Sequence, residues 1–296
     1  MNCIDQVVND RYTAIHGDAV ESLKGLPDNC IGYSIFSPPF ASLYTYSNSP
    51  RDMGNVRTDD EFFEHLDFLV VELARVMKPG RNLSFHCMDM PASKERDGYI
   101  GLKDFPGELI RAFQKRGFIF HSKVTIWKDP VTAMQRTKAL GLLHKSVREN
   151  SAMCRQGIPD YLITMRKPGE QDERITHTHE QFPVDLWQQI ASPVWMDINP
   201  SNTLQFRSAR EHDDERHICP LQLQVIERGM LLWSAPDDIV LSPFMGIGSE
   251  GYVALGMGRK FVGVELKKSY FDQAAKNLAG VLVNQTQDLF TEVATA

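Results

Sequence analysis

Two short stretches of the chain carry residue types that could do chemistry. Gly246-Ile247-Gly248-Ser249-Glu250-Gly251 fits the pattern G-x-G-x-x-G, and Glu265 closes the apolar run that follows. Glycines so spaced after a strand let a ligand approach the backbone at a helix N-terminus, while an acid at the end of the next strand accepts from ribose hydroxyls. Ser37-Pro38-Pro39-Phe40 follows a second apolar run, residues 30–36. Its two prolines fix a rigid path and remove two backbone donors, so carbonyls are left to accept hydrogen bonds. Ser37 adds another acceptor and Phe40 a flat apolar face. Acceptors beside a stacking surface suit an exocyclic amino group on a planar base. A glycine packing cluster or an ordinary proline turn would explain either stretch alone; the pair is harder to explain that way.

The elements that must position these residues read as alternating strands and helices. A strand over 12–16, a turn at Gly17-Asp18, a helix over 19–26 and a strand over 30–36 come first. Residues 41–58 have no apolar period and read as a loop. Asp59-Asp60 then open a helix in which Phe62, Phe63, Leu66, Leu69, Val70, Leu73 and Val76 share one face. A strand over 82–87, a helix over 105–115 and a strand over 118–127 follow. Near the other end come a helix over 220–233, a strand over 238–241, the glycine turn, a helix over 249–255, a strand over 260–265 and a helix over 270–278. This alternation predicts an α/β fold with a doubly wound, mostly parallel, Rossmann-like sheet. Only 31 residues follow Glu265, too few for the β-α units that a dinucleotide fold places after its glycine turn. The sheet must be completed by strands from earlier in the chain. Residues 1–128 and 217–296 are therefore expected to form one unit with permuted motif order, and 129–216 an insertion.

Composition narrows the class. With 42% hydrophobic and 24% charged residues, the chain is an ordinary globular one. No apolar run approaches the ~20 residues of a membrane span, and the first residues lack a signal-peptide pattern. The five cysteines are scattered without a Cys-x-x-Cys pair, and His177 and His179 have no third ligand at a usual spacing. Neither a disulfide framework nor a metal is expected, and a reducing, cytoplasmic location is. The net charge is −6, yet residues 123–167 hold nine basic and three acidic side chains, a local balance of +6. That stretch is the candidate surface for a polyanion.

With both motifs in hand, the chain resembles the β class of DNA amino-methyltransferases, in which the catalytic motif precedes the cofactor motif. Ser37-Pro38-Pro39-Phe40 matches the family's Asp/Asn/Ser-Pro-Pro-Tyr/Phe. The segment from Ser242 through Pro243, Phe244, Gly246 and Gly248 to Ser249 is similar to the family's Asp-Pro-Phe-x-Gly-x-Gly-Thr. Glu265 matches the acid that holds the cofactor ribose, followed by a Tyr-x-x-x-Ala helix at Tyr270. The Gly17-Asp18 turn resembles the segment that contacts the cofactor adenine, and the stretch from His217 through Pro220 to Gln222 resembles the helix start at the cofactor's methionine end. Two positions depart from the pattern: Ser242 stands where the family has Asp, and Glu250 where it often has a second Thr.

The resemblance implies S-adenosylmethionine as cofactor, DNA as partner and no membrane association. It implies methylation of the exocyclic amino group of a base taken out of the duplex, cytosine N4 ahead of adenine N6. Ser37 and a Pro38 carbonyl would accept from the amino group, and Phe40 would stack on the base. Lys128, Arg136, Lys138, Lys145 and Arg148 would line the DNA side of the cleft. The subunit number is left open, a homodimer being compatible with the pattern. A nicotinamide-dependent oxidoreductase and a catalytically silent DNA-binding protein are the other classes considered.

Overall fold

The computed structural model describes residues 3–40, 53–56, 58–132, 143–205 and 220–295. Its strands are β1 (Cys3–Val8), β2 (Tyr12–Gly17), β3 (Tyr33–Phe36), β4 (Asn82–Met88), β5 (Met90–Ala92), β6 (Gly101–Lys103), β7 (Ile119–Ile126), β8 (Asp160–Arg166), β9 (Val194–Trp195), β10 (Ile239–Ser242) and β11 (Lys260–Glu265). Its helices are α1 (Ala19–Leu23), α2 (Asp59–Val76), α3 (Lys94–Asp97), α4 (Phe105–Lys115), α5 (His144–Asn150), α6 (Val184–Ile190), α7 (Leu223–Trp233), α8 (Ser249–Gly256) and α9 (Lys268–Thr295).

Nine strands form one mixed sheet in the order β1-β2-β11-β10-β3-β4-β8-β7-β9. The five from β2 to β4 run parallel, and β10 and β11, from the far end of the chain, fill the space between β2 and β3. The parallel strands have near-continuous apolar runs because helices cover both faces. On one face, Phe62, Leu66, Leu69, Val70, Leu73 and Val76 of α2 are fully buried, together with Leu109 and Phe113 of α4. On the other, Val225, Ile226 and Met230 of α7 pack with Val253 to Leu255 of α8 and Phe271, Ala274 and Leu278 of α9. Thr58 caps α2 through its side chain, accepting from Glu61 N–H, and three acidic residues follow in the first turn.

Residues 129–216, read from sequence as an insertion, supply β8 and β9 to this same sheet. Strand β8 lies antiparallel between β4 and β7 over its whole length. Its sequence, DYLITMR, begins and ends in charge, which masked a buried strand with a fully buried centre. Trp195 of β9 is fully buried and packs in the core, whereas Trp187 is exposed. Strand β1, an antiparallel edge strand with mostly exposed side chains, and the β5–β6 hairpin were not expected; both are short or polar enough to leave no apolar period.

Two sets of polar groups are paired inside the core. Tyr33 Oη donates to Ser84 Oγ at 2.9 Å, and Ser84 Oγ lies 2.9 Å from Thr164 Oγ1, so a line of hydroxyls crosses β3, β4 and β8. The Arg81 guanidinium, at the start of β4, pairs with Asp238, just before β10, and both side chains are buried.

Candidate active site

Parallel strands in register finish on one edge of the sheet. His16 pairs with Glu265, Ser242 with Gly263, and Phe36 with Phe85, so the ends of β2, β11, β10, β3 and β4 stand side by side. Ligands of open α/β sheets bind at this edge. Both sequence motifs lie on it.

Ser37, the first residue past β3, is half-buried, and its Oγ lies 3.2 Å from Nδ1 of His86 on β4. The other ring nitrogen of His86 is 3.2 Å from Asp160 Oδ2 on β8, at ion-pair distance but off the line a hydrogen bond would need. Lys128, past the end of β7, donates to Asp160 Oδ1. Burial pushes the Asp160 carboxyl up, but the neighbouring His86 and Lys128 outweigh it and hold the group below the usual carboxylate range. Asp160 is therefore a fixed anion behind His86. Sequence reading missed His86 and Asp160. The signal available for His86 was a histidine among the buried residues of a central strand.

Pro38 is buried, Pro39 and Phe40 half-buried. The Phe40 ring packs at a tilt on Phe105, centroids 6.1 Å apart, and Phe105 is itself held by Phe62 at 5.7 Å and Phe63 at 6.0 Å. An aromatic cluster from α2 and α4 thus sets the position of the expected stacking face.

The glycine turn follows β10 directly. Gly246 (φ 55°) and Gly248 (φ 87°) both take left-handed backbone, and Gly248 caps α8. A Cβ at Gly248 would come within 3.2 Å of Ala274 on α9, so glycine serves there twice over. Glu265 ties the end of β11 to this turn: Oε2 accepts from Gly246 N–H at 2.8 Å and Oε1 from Lys267 N–H at 2.7 Å. Asp18 caps α1, its side chain accepting from Glu21 N–H at 2.9 Å. Among the described residues, Ser242 Oγ, His16 Nδ1 and Gln222 Oε1 are buried polar atoms without a hydrogen-bond partner. Orphaned polar groups are costly, and these fit a polar ligand laid across the strand ends. Phe244 is half-buried, and Ser249 is buried at the start of α8. Glu250 beside it is wholly buried, and desolvation, with Glu265 nearby, pushes its carboxyl up to about 8. Pro220 is half-buried just ahead of α7.

The described basic residues of the stretch have different partners. Besides Lys128, Lys123 sits over the Tyr161 ring at 3.9 Å, and Lys167 donates to Met77 C=O at 2.7 Å and to Asn29 Oδ1 at 2.8 Å. Lys145 and Arg148 are exposed on α5, with Lys145 3.8 Å from Glu149. Arg136, Lys138 and His217 lie outside the described residues. Among the described residues there is no group of His, Cys, Asp and Glu that could hold a metal, and no helix is long and apolar enough to cross a membrane.

The profile of the N6/N4 DNA methylase family matches residues 33–276, a span that takes in both motifs. The chain belongs to this family. It is a DNA methyltransferase acting on exocyclic amino groups, with S-adenosylmethionine as cofactor. Among curated relatives, it is 24% identical over 270 residues to the type II methyltransferase M.BglII of Bacillus subtilis, covering 90% of this chain and 68% of that one. It is 25% identical over 276 residues to the DNA adenine methyltransferase YhdJ of Escherichia coli K12, covering 91% and 83%. Its fold is that of the solved PvuII methyltransferase, which is cytosine-N4-specific (TM-score 0.66, 16% identity, 93% of this chain and 90% of that one).

Proposed function

We propose that this DNA methylase methylates the N4 amino nitrogen of a cytosine rotated out of the helix into the edge between β3 and β4. The amino-group part of this reading is carried by Ser37, a hydroxyl backed by an imidazole at the place where an amino group would be held; cytosine stands ahead because the family resemblance ties a serine at this motif position more often to cytosine. When bound, S-adenosylmethionine supplies an electrophilic methyl group. The residues that would hold it are the glycine turn from Phe244 to Ser249, Glu265 on the ribose, Asp18 near the adenine, and Ser242, His217 and Pro220 towards the methionine end.

The amino hydrogens are accepted by Ser37 Oγ and the Pro38 carbonyl, which draws the nitrogen lone pair out of conjugation with the ring. Phe40 fixes the plane of the base. Catalysis is then largely positioning of the amino group. Lys145 and Arg148, with Arg136 and Lys138, bind the DNA phosphates. A cytoplasmic location goes with this reading, since both substrates are found there.

Adenine N6 is the second reading, favoured by the similarity to an adenine methyltransferase. Both amino groups present the same donors to Ser37. The deciding experiment incubates the protein with unmethylated DNA and the cofactor, digests the DNA to nucleosides and identifies the methylated one. N4-methylcytosine is expected; N6-methyladenine replaces the first reading by the second, and no methylated nucleoside refutes both.

A further inference from the structure

We propose that His86 is the proton acceptor behind Ser37, and that Asp160, itself paired with Lys128, positions His86 for that task. The inference rests on the amino-methyltransferase reading and adds the route by which the amino group loses its proton. Three separate elements meet at this point: Ser37 from the end of β3, His86 from β4 and Asp160 from β8, at 3.2 Å for each step. The side chains of His86 and Asp160 are 12% and 5% exposed, so the pair is shielded from water but His86 is not sealed off.

The carboxylate lies 3.2 Å from Nε2, and its charge favours the tautomer with the proton on Nε2 and a lone pair on Nδ1, the nitrogen nearest Ser37 Oγ. The other charged or titratable groups around His86 are Lys128 on Asp160, Lys123 over Tyr161, Asp89 accepting from Tyr161 Oη at 3.2 Å, and the buried Cys87 thiol. Each of these is engaged away from Nδ1 or buried on its own side of β4.

As the nitrogen lone pair forms the new N–C bond, the methyl–sulfur bond breaks and its electron pair stays on sulfur. The exocyclic nitrogen is then cationic. Its proton passes to Ser37 Oγ while the Ser37 hydroxyl proton passes to His86 Nδ1. The imidazolium is stabilised by Asp160, which stays ionised, and afterwards gives its proton to water. A serine is a poor base by itself; a carboxylate in its place would accept the proton directly. His86 and Asp160 are what make serine workable at this position.

The test uses the full chain with cofactor and DNA. His86→Gln should lower kcat about 100-fold, leave cofactor affinity within twofold by calorimetry, and abolish the fall of kcat on the acid side. Ser37→Asp added to His86→Gln should recover at least tenfold of the loss, which no merely structural role for His86 would allow. Retention of the acid-side fall in His86→Gln, or a kcat within threefold of the parent, overturns the proposal. A second readout needs no activity: 15N spectra of the imidazole should show an unprotonated Nδ1 on His86, and Asp160→Asn should shift the proton between the two nitrogens. If Nδ1 carries the proton in the parent, the relay is wrong whatever the chain methylates. If the spectra are as expected but no base is methylated, the functional reading fails, and the relay as a catalytic route fails with it.

Discussion

Phe36 and Phe244 lie with ring centroids 5.9 Å apart at a tilt of 57°, one directly before the Ser37 motif and the other within the glycine-turn motif. Phe36 is the residue before Ser37, and Phe244 stands in the turn that leads to Gly246. Their packing joins the proposed amino-group acceptors to the proposed cofactor turn. Tilted aromatic pairs contribute about 0.5–1.5 kcal/mol beyond their buried area. Phe244→Leu should therefore cost about 1 kcal/mol in urea unfolding, and lower kcat more than this small loss of folded protein explains. A variant with lowered stability and unchanged turnover would show that the pair has no part in alignment.

Glu265 holds Gly246 and Lys267 before any ribose is present. Removing it should loosen the turn as well as the proposed ribose site. Hydrogen bonds to a charged group are worth about 1.5–3 kcal/mol, so Glu265→Ala should weaken S-adenosylmethionine at least tenfold by calorimetry. Unchanged affinity would rule out the ribose assignment.

Glu250 predicts a pH dependence of stability. Its folded-state value, about 8, lies above the ordinary 4.5, because burial penalises the charged form. Above pH 4.5 the unfolded chain loses this proton while the folded one keeps it, so stability falls as pH rises towards 8 and levels off beyond. Glu250→Gln should raise Tm by a few degrees at pH 8.5, at about 2–4 °C per kcal/mol for a domain of this size, with little gain at pH 5. Equal shifts at both pH values would exclude a buried neutral carboxyl.

The Arg81–Asp238 pair is buried on both sides, and Asp238 backs directly onto Gly32, where a Cβ would lie 2.3 Å from its Oδ1. Breaking such a pair from one side strands a charge, at about 3–5 kcal/mol. Asp238→Ala should unfold at much lower urea than the parent, and Arg81→Met with Asp238→Ala should recover part of the loss. A double variant no better than the single one would mean that the guanidinium is not stranded by the loss of its partner.

Lys145 and Arg148 on α5, with Arg136 and Lys138, are the cations proposed to bind phosphate. Removing one phosphate-binding cation should reduce the salt dependence of DNA binding by about one unit of slope. Replacing Arg136, Lys138 and Lys145 together should flatten the slope and leave cofactor affinity unchanged. Lys128→Ala should change kcat far more than the slope, since its charge is spent on Asp160. Equal slopes for the triple variant and the parent would remove this stretch from the DNA face.

Much of the strand and helix order, and the two motifs, could be read from local periodicity. Helix α2 has its apolar residues at helical spacing, and Lys260–Glu265 is bounded as expected. The unread part is non-local. Nothing near His86 in sequence marks it as a partner of Ser37, because the two meet only when β3 and β4 pair. Asp160 was harder still, since β8 reaches the site from a segment whose charged ends resemble a loop. The pairing of Lys128 with Asp160 could not be read either, because net charge over a stretch does not say which way each side chain points.

The placement of β10 and β11 between β2 and β3 has a consequence for synthesis on the ribosome. The first four strands emerge early, but β2 and β3 each keep one edge unpaired until residue 265 has left the exit tunnel. At about 5–20 residues per second this wait is on the order of tens of seconds. During it, the gap that β10 and β11 will fill stands open to any other strand. A nascent chain of this order lacks the glycine turn and Glu265 until long after the first strands have emerged, so a copy cut short before them lacks the strands that join the two halves of the sheet.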